Sequence, residues 1–423
     1  MISNMPCYAQ MKDSGVEWLG EIPVGWEVIK LKFEDSTNMG QSPDSENCNM
    51  NEIGLPFLQG NAEFGDFHPT PKLWCTKPKK IGKKGDILLS IRAPVGELNI
   101  ADRVFGIGRG LVAITPKKSN ISFKLYQLKA STVFLKSLST GSTFDAVSGG
   151  DINNLFLPIP PLSEQTAIAT FLDQKTAQID QAIALKQKQI ELFKERKQLV
   201  IQRAVTKGLD PHAPMRDSGV EWIGEIPDHW ELRRLKYVLD ERNERSKKGE
   251  EPLFMVSQIH GLVVRSEYHA KAEVAQSTID NKIVHKNDLV FNKLKAHLGV
   301  FFKSNIEFNG IVSPDYAVYK PKAFIDDLKY LEYLFRHPAY IEQFIIKATG
   351  IVEGLIRLYT TALFEIPIPI PSLIEQKNIL SFIETQSAKI VKAIDIQQQQ
   401  INKLKEYKAT LINSAVTGKI KVF

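Results

Sequence analysis

Two stretches of this chain carry nearly the same text. Residues 12–23 read K-D-S-G-V-E-W-L-G-E-I-P, and residues 216–227, 204 positions later, read R-D-S-G-V-E-W-I-G-E-I-P. A looser pair follows at an offset of 211: L-P-I-P-P-L-S-E-Q at 157–165 and I-P-I-P-S-L-I-E-Q at 368–376. Each copy of the second motif opens a long helical stretch ending in Ala-Val-Thr, at 204–206 and 415–417. Solenoid units repeat about every 20–50 residues, so a period near two hundred means a duplicated module. The chain must therefore fold as two tandem modules with shared frames and divergent centres. Such a plan suits one kind of task carried out on two different targets.

The stretches after the second motif are the most regular part of each module. The prolines at 158, 160 and 161 end any preceding helix and fix an extended entry, and from there to about Lys207 neither Pro nor Gly occurs. Leu172, Ile179, Lys186, Phe193 and Val200 recur every seven residues, with a second row at Thr176, Ile183, Ile190, Lys197 and Ala204. Adding 211 gives Ile383, Ile390, Gln397, Leu404 and Leu411, and then Ser387, Ile394, Ile401, Lys408 and Ala415. The polar interruptions fall at the same positions of both helices. This is a coiled-coil seam sustained over about five heptads, on helices about 60 Å long. Two matched seams in one chain most simply pair with each other, antiparallel, with the pairs Lys186/Gln397 and Thr176/Ser387 helping to fix register.

Each module has two further parts. The D-S-G-V-E-W segment places two tryptophans eight apart (Trp18 and Trp26; Trp222 and Trp230) around a proline, and reads as a loop packing an aromatic anchor. The body that follows mixes signals. Residues 86–92 and 110–115 are short β-rich runs bounded by Gly and Pro, matched in the second module by 288–292 and 316–319. Residues 122–138 and 325–348 have helical periodicity. A proline-rich linker, 208–214, joins the modules. The expected division is 1–156 for the first body with its frame motif, 157–208 for the first helix, 209–366 for linker and second body, and 367–423 for the second helix.

Charge and cysteine usage bound the function. The 54 Lys and Arg against 48 Asp and Glu leave +6, and the two helical stretches carry +3 and +4 of it, so the remainder sums to −1. A polyanionic partner is permitted, but any nucleic-acid surface on the bodies is local. Three cysteines, Cys7, Cys48 and Cys75, are too few and too irregular for a disulfide framework or a C-x-x-C metal site. With no membrane span and no signal peptide, a cytoplasmic protein is expected.

Catalytic signatures fail in turn. Gly106-Ile-Gly108-Arg-Gly110 resembles a phosphate loop, but a β-rich run follows it rather than a helix, so it reads as a turn. No Walker motif and no adenine-methylation signature occurs. Asp315, Asp327 and Lys329 mimic nuclease spacing, yet the second acid and the lysine sit where a helix begins. The eight histidines never take metal-ligand spacing.

With both frame motifs and G-D-I-L-L-S-I-R at 85–92, the chain resembles the specificity subunit of type I restriction-modification systems along essentially its whole length. The second body departs at the last element, reading N-D-L-V-F-N-K-L from Asn287. The resemblance implies an α/β (α+β) fold: two tandem target-recognition domains separated by two long helices in an antiparallel coiled coil, with pseudo-two-fold symmetry. It implies a non-catalytic subunit that reads a bipartite, asymmetric double-stranded DNA target. Partners implied are two modification subunits, which bring S-adenosylmethionine and methylate adenine N6, and restriction subunits that use ATP and Mg to translocate and cleave. The chain itself is expected to hold no cofactor. The alternative reading is a coiled-coil scaffold whose two heads bind proteins, with no role on DNA.

Base readers are expected to be Arg or Lys for guanine and Asn or Gln for adenine. In the first body these are Gln59 and Asn61 after a short apolar run, Arg92 after its strand, and Arg103 and Arg109 flanking the glycine turn. Ser142 and Thr143, in a T-G-S-T loop, are phosphate candidates. In the second body the candidates are Gln258, His260, Arg265, Lys293, Lys295, Tyr316, Arg357 and Tyr359.

Overall fold

The computed structural model describes residues 5–138, 146–258, 260–268, 278–350 and 357–423. The chain divides into two compact units, Met1–Gln187 with Gln398–Phe423, and Lys188–Gln397.

In the first unit, strand Ile87–Ser90 is buried at all four positions, and a strand without polar alternation needs cover on both faces. It lies inside an antiparallel sheet in the order Leu98–Ile100, Ile87–Ser90, Leu111–Pro116, Asp35–Met39. Because side chains alternate along a strand, Ile87 and Leu89 join Leu128 and Leu135 of helix Ile121–Leu138, whereas Leu88 joins Leu58, Phe105 and Ile107 of a second sheet. That sheet runs Cys48–Asn49, Leu73–Cys75, Leu55–Leu58, Phe105–Ile107, Ile81–Gly82.

The second unit repeats the plan with other residues. Strand Leu289–Asn292 lies between Tyr316–Pro321 and Phe301–Lys303, with Leu239–Glu241 outermost. Leu289 and Phe291 enter one core, Val290 another. The helical periodicity of 325–348 resolves into two helices, Lys329–Leu334 and Pro338–Lys347. Pro338 has no amide hydrogen to continue a helix but suits a first turn, and the ring of His337 accepts from Ala339 N at 3.3 Å to cap it. The nuclease-like residues take separate partners here: Asp327 holds Lys303 at 2.8 Å and Lys329 holds Glu332 at 2.7 Å.

Both long helices form as expected, Leu162–Lys207 and Leu373–Val416. Seam residues Leu172, Ile179, Ile190, Ile383, Ile390, Ile401 and Leu411 are buried, and the polar interruptions Lys186, Lys197, Gln397 and Lys408 are half-buried. Within the first unit Lys408 Nζ donates to Asp180 at 2.7 Å and Lys186 donates to Gln400. Rising numbers on one helix meet falling numbers on the other, so the pairing is antiparallel. The expected Thr176/Ser387 pair is replaced: Thr176 shares a hydrogen bond with Tyr126 at 3.1 Å. In an antiparallel pair an early residue of one helix faces a late residue of its partner, so equivalent repeat positions meet only near the middle.

The repeated motifs are the two halves of one clasp. Trp26 Nε1 donates to Glu164 at 2.9 Å and Trp230 Nε1 to Glu375 at 3.0 Å, joining each D-S-G-V-E-W segment to the glutamate of its own unit's helix start. The adjacent glutamines close the same corner. Gln165 Nε2 donates to Pro160 O at 3.0 Å, and Gln376 Nε2 donates to Pro371 O at 2.9 Å. A short antiparallel pairing backs each clasp, Glu27–Lys30 with Phe156–Ile159 and Glu231–Arg234 with Pro367–Ile370. The Ala-Val ends complete it: Ala415 and Val416 pack with Trp26, and Ala204 and Val205 with Trp230.

Candidate functional site

In the first unit the glycine turn is a junction. Gly108 N donates to Leu58 O at 2.8 Å, Gly110 N to Gln59 O at 3.3 Å, and Ile91 N to Gly110 O at 2.9 Å. A methyl group on Gly108 or Gly110 would lie 2.8 Å from Gln59 atoms, so only glycine permits this approach. The turn therefore brings Gln59, Arg109 and Arg92, from three separate segments, to one end of the sheets, and all three are exposed. Gln59 Nε2 donates to Ser42 Oγ at 2.8 Å, and Gln41 N donates to Ile107 O at 3.0 Å. Gln41 and Ser42 thus belong to the same edge. Nothing in their local sequence announced them, because the contact is made across a loop.

Two other candidates do not join this edge directly. Arg103 precedes strand Phe105–Ile107 whereas Arg109 follows it, so they occupy opposite ends, and Arg103 Nη2 is engaged by Asp102 at 2.9 Å. Asn61 is half-buried in a turn, its carbonyl accepting from Phe64 N at 3.0 Å. Ser142 and Thr143 lie outside the described residues.

In the second unit, Gln258, Lys295 and Tyr316 line one recess of about 250 Å³ with Val256, Ser257, Asn292 and Val300. Asn292 Oδ1 accepts from Leu294 N at 3.0 Å, which fixes the amide at the recess. Burial pushes the Tyr316 hydroxyl up, against the opposing effects of a hydrogen bond with Asn292 and the charge of Arg265. Sequence reasoning missed Asn292, although an asparagine ending an apolar strand was a visible signal.

Lys293 points elsewhere. Burial holds its ammonium below the usual lysine range, with Lys282 and Arg357 adding repulsion, and Glu241 stands 3.9 Å away. Arg357 lies 3.4 Å from Asp315. The His260 and Tyr268 rings lie tilted at 37° with centroids 4.7 Å apart, and Tyr359 occupies the N-cap position of helix Thr360–Phe364.

Backbone register relates the two edges. Val147 N donates to Ile91 O at 3.0 Å, and Leu358 N donates to Lys293 O at 3.0 Å. Ile91 therefore corresponds to Lys293. The counterpart of Arg92 is then Leu294, neither Lys293 nor Lys295, and the counterpart of Ala146, which bridges Arg92, is Arg357. The guanidinium has moved from one segment to its neighbour.

This duplicated architecture has a match among known families. The type I restriction modification DNA specificity domain matches residues 23–192 and again 227–406. The chain belongs to that family. Its members are specificity subunits, the DNA-recognition components of restriction-modification complexes and not their catalytic ones. The chain is similar to the putative type I restriction enzyme MjaX specificity subunit of Methanocaldococcus jannaschii, 40% identical over 192 residues, which is 44% of each chain. It thus spans less than half of that relative, but it aligns with 94% of the MjaVIII specificity subunit from the same organism, at 25% identity over 420 residues. Among solved structures, the HsdS subunit from Thermoanaerobacter tengcongensis shares the fold, with a TM-score of 0.54 at 15% identity, covering 94% of this chain and 98% of that one. Among the described residues, no helix is long and apolar enough to cross a membrane, and no cluster of three or more His, Cys, Asp or Glu could hold a metal ion.

Proposed function

We propose that each body of this specificity subunit reads one half of a bipartite double-stranded DNA target. In the first body the reading edge is Gln41, Ser42, Gln59, Arg92 and Arg109; in the second it is the recess of Gln258, Asn292, Lys295 and Tyr316, flanked by Arg265 and Arg357. The observation that carries this reading is the glycine junction, which gathers an amide and two guanidinium groups at one exposed end of the first unit. Amides and guanidiniums are the groups that make bidentate contacts with adenine and guanine edges. Arg103, His260, Lys293 and Tyr359 are left as supporting residues.

The boundaries we assign to the parts are 1–156, 157–208, 209–366 and 367–423. The long helices hold the half-site readers at a fixed separation and dock two modification subunits, which supply S-adenosylmethionine. Restriction subunits supply the ATP- and Mg-dependent steps. The test is to exchange residues 33–155 for the corresponding segment of another specificity subunit, assemble the complex, and sequence the methylated sites. One half of the target changes and the other stays. If both halves change, or neither does, the reading is wrong; a protein-binding scaffold would give no sequence-selective methylation at all.

A further inference from the structure

Cys48 and Cys75 face each other across two strands of the first unit. They are direct partners in the antiparallel pairing of Cys48–Asn49 with Leu73–Cys75. One step along, Thr76 N donates to Asn47 O at 3.0 Å, which makes 47/76 a hydrogen-bonded pair. The pairs alternate, so 48/75 is a non-hydrogen-bonded pair, the kind in which Cα atoms stand about 4.5 Å apart and side chains approach most closely. Disulfides span Cα separations of about 4.4–6.8 Å. The site is also held from behind. A methyl group on Gly54, at φ +98°, would lie 2.3 Å from Cys75 O, so the turn presses on the Cys75 backbone. Asn49 Oδ1 ties that turn by accepting from Asn51 N at 3.0 Å and Ile53 N at 3.1 Å.

We propose that Cys48 and Cys75 are a dithiol site that closes to a reversible cross-strand disulfide. Exposure sets the order of events, because Cys48 is half-buried and Cys75 fully buried. The oxidant is a low-molecular-weight disulfide. Cys48 loses its proton to solvent and its thiolate attacks one sulfur, expelling a small thiolate and leaving a mixed disulfide. Cys75 then loses its proton and attacks Cys48 Sγ, expelling the second small thiolate. Two protein thiols are oxidised, one small disulfide is reduced to two thiols, and one S–S bond replaces another. Burial first, and the facing Cys75 second, push the Cys48 thiol up, so closure is slow near neutrality. Its initial rate rises about tenfold per pH unit, as the thiolate fraction does. The bond would join the edge strand to Leu73–Cys75, which pairs with Leu55–Leu58, the strand leading into Gln59. The thiol chemistry itself is independent of what the domain binds.

The test uses the full chain carrying Cys7→Ser, which removes an exposed thiol remote from the pair in sequence. After glutathione disulfide treatment under native conditions, thiols titrated in denaturant fall from two to none, a Cys48–Cys75 linked peptide appears, and dithiothreitol restores both thiols. In Cys7→Ser/Cys48→Ser, Cys75 stays unmodified. Two surviving thiols, or a glutathione that remains on Cys48, would overturn the proposal, as would rapid modification of Cys75 in the second variant.

Discussion

Lys124 and Asp35 are both fully buried and meet at 3.0 Å, though not along a well-directed hydrogen bond. Helix Ile121–Leu138 delivers the ammonium and strand Asp35–Met39 the carboxylate. Burial pushes the Asp35 carboxyl up even with Lys124 beside it. Lys124→Met keeps the volume and removes the positive charge. Breaking a buried pair on one side costs about 3–5 kcal/mol, because the partner is left charged and uncompensated. The sign with pH follows. A carboxyl whose folded pKa lies above its unfolded value of about 3.9 gives stability that is complete below that value and lost as pH rises through the folded pKa. The substitution raises the folded pKa further. Its penalty is therefore smallest at low pH, where both folded forms keep the proton, and deepens by about 1.4 kcal/mol per pH unit once pH passes the wild-type folded pKa. The chain has two units and is not expected to unfold in one step, so the assay must report locally. Hydrogen exchange with mass spectrometry on peptides covering Ile121–Leu138, in graded urea at pH 5 and pH 7.5, does so. Asp35→Asn/Lys124→Met should recover most of the loss at pH 7.5. Wild-type stability in the single variant at pH 7.5, a pH-independent loss, or no recovery in the double variant would refute the reasoning.

Four further outcomes are expected. Arg92→Ala abolishes methylation at native sites while assembly with the modification subunits persists, read by methylome sequencing and by gel filtration. Asn292→Ala loosens selection in one half-site only, seen as degenerate bases in the methylated motif, because the recess with Gln258, Lys295 and Tyr316 loses its fixed amide. Trp26→Phe destabilises the first unit by about 1.5–3 kcal/mol, the usual worth of a hydrogen bond to a charged group, and leaves amide protection of Leu289–Asn292 unchanged. Lys408→Ala changes first-unit stability by no more than about 1 kcal/mol, since its bond to Asp180 is partly exposed.

The sequence revealed the parts that repeat or keep a period. The heptad rows placed both long helices, and the apolar runs after Asp86 and Asp288 placed the central strands, because each signal is local. The clasp was half-visible. Both of its sides were seen as motifs, but the hydrogen bond from Trp26 to Glu164 spans 138 positions and no local pattern reports it. The grouping we propose as a reading edge was less legible still. Gln59, Arg92 and Arg109 could be named singly, but what unites them is backbone bonding around Gly108 and Gly110. Gln41 and Ser42 escaped because their place at this edge comes only from that junction. Arg103 flanks the same glycines in sequence, but strand Phe105–Ile107 stands between it and Arg109 and sets it at the other end. The cysteine spacing looked irregular because it was judged along the chain, whereas the register of two strands sets Cys48 against Cys75.

The displaced guanidinium has a consequence for how such a domain could change its target. Neighbouring strands lie about 4.8 Å apart, whereas successive base pairs are stacked about 3.4 Å apart along a strand of the duplex. Moving an arginine from the Arg92 position to the one held by Arg357 shifts its root by more than one base step. In a domain that reads base edges, two point changes would then move the sensed base without altering one strand pairing. A new preference could arise on an intact scaffold, at little cost in folding.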